Sequence, residues 1–158
     1  MILRAYYDAD WAGDPSDRRS AADFCIFLGD SLISWRSKKQ TLAARSSTEA
    51  EYCALVDTTF EILWLRWLLA GLETSHSSST DLDCDNQSTI QIAHNDIFHE
   101  PTKHIDIHFI RHHLLYCELH LISIDTLDQP VDLFTKSHSP ERFHILVSKL
   151  KLVEAPPT

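Results

Sequence analysis

The chain has 158 residues, a formal net charge of -9, 44% hydrophobic and 23% charged residues. That suffices for one domain around a single core and excludes a disordered chain. No stretch approaches the ~20 apolar residues of a membrane span. "MILRAYYDAD" has no apolar signal region, so no export is expected.

In chain order, "LRAYYD" reads as a strand running into the turn-rich "DADWAGDPSD". "FCIFLG" and "LISWRS" are two short apolar runs around Gly29, Asp30 and Ser31, a hairpin signal. The period then changes. Tyr52, Leu55, Val56, Phe60, Leu63 and Trp67 recur at helical spacings of three and four, predicting a long helix that stops near Gly71. Its apolar window, "FEILWLRWLLAGL", reads as buried. "TDLDC" is a fourth strand, "NQSTIQIAHN" a short helix, and "PTKHIDIHFIRHHLLY" a helix with proline in its first turn. "LISIDTL" is a fifth strand, and "QPVDLFTK" and "SPERFHILVSKLKLV" are expected to be two closing helices. This order predicts an α/β fold, a mixed sheet with helices on its faces. Cys25, Cys53, Cys84 and Cys117 lie far apart within apolar segments, and are expected to be reduced thiols.

Charge is distributed unevenly. Taken alone, net acidity argues against a nucleic-acid partner. Residues 1–50, however, hold seven Lys/Arg, whereas residues 51–100 hold only Arg66 against nine Asp/Glu. A basic edge beside an acidic centre is compatible with phosphate binding next to a metal-loading site.

Four acids stand where elements begin or end. Asp8 closes the first strand, Asp85 follows the fourth, and Asp132 lies in the first turn of "QPVDLFTK". Each has an ordinary structural reading, as a turn acid, a helix cap or a charge facing a helix dipole. Glu51 has one too, because Thr48 with Glu51 and Ser46 with Glu49 form overlapping capping boxes. Local physics does not choose between Glu49 and Glu51. Carboxylates gathered at one sheet rim without lysines repel one another unless a divalent cation neutralises them. Such hard oxygen ligands favour magnesium or manganese over zinc.

The segments "YYDADWAGD", "RRSAADFCIFLGDSLISWRSKKQ", "RSSTEAEYCAL", "CDNQSTI", "FHEPTKHIDI", "HFIR" and "DQPVDLFTK" resemble the ribonuclease H domain of copia-type LTR retrotransposons. In that family the domain belongs to the reverse transcriptase region of a polyprotein. The resemblance implies a ribonuclease H-like five-stranded sheet with three antiparallel N-terminal strands and two further parallel strands. It implies one domain over residues 1–137, with 138–158 as its C-terminal helix and tail. It also implies cleavage of the RNA strand of RNA–DNA hybrids with two magnesium or manganese ions. The family's acids fall on Asp8, Glu51, Asp85 and Asp132, as both catalytic residues and metal ligands. By the same analogy Asp8 bridges the ions, Glu51 and Asp85 hold one, and Asp132 helps hold the other. Substrate contacts carry over to Ser47, Thr48 and Gln87, with Trp35, Arg36, Lys38 and Lys39 as further candidates for the hybrid surface. The implied partners are the hybrid and the reverse transcriptase domain, and the implied location is a cytoplasmic particle or the nucleus.

The chain departs from the family pattern in three places. The loop "IDTLDQP" has no histidine, Ala22 and Asp23 stand where a glycine is usual, and "HIDIHFIR" is about two residues short, roughly half a helical turn. The last two keep open a rival reading, a decayed copy that binds nucleic acid or a polymerase without cutting. Integrase-like DNA cleavage on the same fold is a second rival. His104, His108 and His112 at four-residue spacing raise a zinc site, with surface or half-buried histidines the simpler reading.

Overall fold

The computed structural model describes residues 2–74, 78–95, 104–116 and 118–152. Five strands form one sheet: β1 (Leu3–Asp10), β2 (Ala21–Leu28), β3 (Ser31–Lys39), β4 (Thr80–Cys84) and β5 (Leu119–Ser123). Their order is β3-β2-β1-β4-β5. The two hairpin-linked pairs are antiparallel, and β4 pairs parallel with both β1 and β5. Among the described residues four α-helices accompany the sheet: α1 (Ser47–Gly71), α2 (Gln87–His94), α3 (His104–Leu115) and α4 (Pro140–Lys149).

Strand alternation divides the core between the two faces. Leu3, Ala5 and Tyr7 of β1, with Phe24 and Ile26 of β2, pack under Leu55, Ile62 and Leu65 of α1 and Ile110 of α3. On the opposite face Cys25 and Phe27 meet Val131 and Leu150, the latter just past α4. An ion pair also crosses the sheet: Arg4 donates to both oxygens of the fully buried Asp83 carboxylate, at 2.7 and 2.9 Å.

Three expectations change. β5 begins at Leu119 and stops at Ser123, because pairing with Thr80–Cys84 sets its ends rather than its own apolar run. "QPVDLFTK" forms no α-helix; Thr126–Asp128 and Pro130–Phe134 are two 3-10 turns, a short geometry that suits a connector. The window expected to be buried carries Phe60, Trp64 and Trp67 on its outside, with Trp67 73% exposed. With large apolar residues on more than one side, that window gives no clear phase. The Pro101 start expected for α3 lies outside the described residues, as does Cys117; Cys25 and Cys84 are free thiols. No helix among the described residues is long and apolar enough to cross a membrane.

Candidate metal centre

Because β1 and β4 run parallel, their C-terminal ends reach the same rim. Asp8 sits near the end of β1, and Asp85 follows Cys84, the last residue of β4. Asp85 is free of capping duty because Asn86 caps α2, its side chain accepting from the Thr89 N–H at 3.1 Å.

The two glutamates separate by their partners. Ser46 caps α1 by accepting from the Glu49 N–H at 3.1 Å, and Glu49 accepts from the Arg45 N–H at 2.7 Å. Glu49 therefore closes the helix start. Glu51 is buried and turned inward, where its Oε1 accepts from the Ala9 N–H at 3.1 Å. Ligand oxygens of Asp8, Glu51 and Asp85 all lie within 4.8 Å of one another, the one such group among the described residues.

Asp132 arrives from the far end of the chain. Buried Gln129 donates from Nε2 to the Tyr7 carbonyl at 2.9 Å, pinning the Pro130–Phe134 turn to β1. The turn brings Asp132, itself buried, beside Asp8. Between them stands Lys136, whose Nζ is 2.6 Å from Asp132 Oδ1 and 3.3 Å from Asp8 Oδ2. The rim is thus not a cluster without lysines, as the sequence suggested. Sequence reasoning passed over Lys136 and Gln129; the four-residue spacing from Asp132 to Lys136 was the available signal.

Burial raises the carboxyl pKa values of both Asp8 and Glu51, and the adjacent Asp8 carboxyl raises that of Glu51 further. Two adjacent buried carboxylates that cannot both ionise cheaply share a proton until a cation replaces it. Glu51 Oε2 is buried without a hydrogen-bond partner among the protein atoms. An all-oxygen donor set with an orphaned buried oxygen fits a hard divalent cation.

Asp23 adds a further charge. It pairs directly across the sheet from Asp8, is buried, and neither oxygen closes a hydrogen bond. Burial pushes its pKa up to about 6, with Asp8 and Asp10 adding to the effect and the nearby Ser37 and Thr135 side chains opposing it.

The candidate substrate residues are scattered more widely. Ser47 and Thr48 open α1 and Gln87 opens α2, so all three flank the acids in sequence. Thr48, with Arg45, Tyr52, Ser88, Gln91 and Asn95, lines a cavity of about 560 Å³ between α1, α2 and α3. Trp35 and Lys38 are both exposed on β3, on opposite faces of the strand. Arg36 is committed elsewhere, paired with Asp57 at 3.2 Å and lying over the Phe24 ring. Lys39 is paired with Asp14 and Asp17. Among the histidines, His113 contacts Glu118 and His112 packs against Tyr116.

No family model matches the chain. In a match of 160 residues that covers 100% of the chain, it is 39% identical to the Retrovirus-related Pol polyprotein from transposon RE2 of Arabidopsis thaliana. The chain is thus similar to one part of these transposon Pol polyproteins. Over 91% of its length it is also 38% identical to the corresponding polyprotein from transposon TNT 1-94 of Nicotiana tabacum. It spans about 11% of the length of each of these relatives. Among solved structures it resembles LC11-RNase H1, crystallised in complex with an RNA/DNA hybrid, with a TM-score of 0.57 and 14% identity. That match covers 80% of this chain and 88% of the other. The fold is that of ribonuclease H.

Proposed function

We propose that this Pol polyprotein segment is a divalent-metal-dependent endonuclease that hydrolyses the RNA strand of RNA–DNA hybrids. The observation that carries the reading is the convergence of Asp8, Glu51 and Asp85 oxygens within 4.8 Å at the rim of a ribonuclease H fold. Two magnesium or manganese ions would supply an activated water and charge stabilisation at the leaving oxygen. Glu51 and Asp85 would hold one ion, Asp132 would help hold the other, and Asp8 would contribute to both. Burial of Asp8, Glu51 and Asp132 keeps competing water from their oxygens, and the Ala9 N–H and the Gln129 anchor fix their directions. Ser47, Thr48 and Gln87, at the two helix starts beside the acids, carry short polar groups suited to the 2′-hydroxyls that distinguish RNA from DNA. Trp35 and Lys38, exposed on the edge strand, extend the contact along the hybrid. Products carry 5′-phosphate and 3′-hydroxyl ends. The reverse transcriptase domain of the same polyprotein is the partner that would produce the hybrid.

The test offers labelled RNA–DNA hybrid and duplex DNA to the protein with magnesium or manganese. Cutting confined to the RNA strand of the hybrid is expected. Equal cutting of duplex DNA would favour an integrase-like nuclease instead, and binding without cutting would favour the decayed copy.

A further inference from the structure

The acidic rim has two unlike halves. Asp8, Glu51 and Asp85 converge with their ligand oxygens within 4.8 Å, and Asp132 is not part of that group. Asp132 instead shares the Lys136 ammonium with Asp8, at 2.6 and 3.3 Å. Both carboxylates are nearly inaccessible, at 4% side-chain exposure, whereas Lys136 retains 41%. The ammonium therefore reaches in from solvent and can withdraw the same way.

A cation shared by Asp8 and Asp132 needs the oxygens that the ammonium holds. Magnesium binds oxygen at about 2.1 Å and keeps several waters. The ammonium and a hydrated divalent cation cannot share so small a space, and their like charges repel. The rim also holds Lys136 firmly. Its backbone N–H donates to the Asp132 carbonyl at 3.1 Å, fixing the side-chain root one turn from the carboxylate it pairs with.

We propose that Lys136 is a built-in competitor for the second cation. The free protein takes one divalent ion at Asp8, Glu51 and Asp85, and a second enters beside Asp132 only by displacing the lysine. The inference rests on the reading of this rim as a metal centre for hybrid cleavage, but concerns loading rather than cutting.

Manganese titration of the hybrid-free protein, followed by calorimetry and by electron paramagnetic resonance of free Mn²⁺, reads stoichiometry without any cleavage. Wild type is expected to bind one ion, and Asp85→Asn to lose it. Lys136→Met is expected to bind two, the second about tenfold or more tighter than any second ion in wild type. Lys149→Met, which removes a cation paired with Asp128, is expected to match wild type. Lys136→Gln serves should the methionine variant fail to fold. Equal loading of wild type and both Lys136 variants overturns the proposal, as does the same gain from Lys149→Met. No manganese bound by any of the proteins would instead overturn the metal centre itself.

Discussion

Asp23→Asn should make the metal-free protein more stable at neutral pH. Asp23 is buried opposite Asp8 with neither oxygen hydrogen-bonded, so ionising it in the folded state is costly. Its pKa lies at about 6 against 3.8 for an ordinary aspartate, a difference equivalent to about 3 kcal/mol. The sign follows from linkage. Between those values the folded carboxyl keeps its proton while the unfolded one loses it, so stability falls as pH rises through that window. Below it the protonated acid and asparagine are nearly isosteric, and no difference is expected. Above pH 6 the full cost remains. Allowing for the amide's own unpaired groups, a gain of about 2 kcal/mol is expected at pH 8, or roughly 4–8 °C in Tm. Urea unfolding in the presence of a chelator, at about pH 4 and at pH 8, measures it. A variant no more stable than wild type at pH 8, or a gain undiminished at pH 4, would refute the reasoning.

Arg4→Met leaves the fully buried Asp83 carboxylate without its bidentate partner; a loss of about 3 kcal/mol is expected in urea unfolding. Manganese affinity should rise with pH, because the raised pKa values of Glu51 and Asp8 make ion binding expel a proton. Calorimetry in buffers of different ionisation enthalpy counts that proton. Glu49→Gln should cost at most about 1 kcal/mol and keep cleavage, whereas Glu51→Gln should abolish it; the reverse result in a gel assay would move the site to the wrong glutamate.

The succession of strands along the chain and the long helix were legible because turn residues and a change of period mark them locally. What was not legible depended on distant parts of the chain. The ends of β5 are set by its ladder with β4, and the outward turn of Phe60 and Trp67 by which side of α1 meets the sheet. "QPVDLFTK" carries helix-start chemistry, yet Gln129 spends its side chain on the Tyr7 carbonyl, and the segment is held as a 3-10 turn. Among the site residues, resemblance alone chose Glu51 over Glu49. The physical difference is the Ala9 N–H, 42 residues away in sequence, which only the folded chain brings to Glu51. Lys136 was readable as an i,i+4 partner of Asp132, but its second contact, with Asp8, spans 128 residues. Asp23 was visible as an unusual charge in a strand, and its register opposite Asp8 gives it consequence.

The central assignment is most directly tested by incubating 5′-labelled RNA in an RNA–DNA hybrid with wild type and with Asp85→Asn, under matched magnesium and with folding checked by circular dichroism. Wild type should yield shortened RNA with 3′-hydroxyl ends, and Asp85→Asn, equally folded, should leave the RNA intact. Equal cleavage by the two proteins would contradict the assignment.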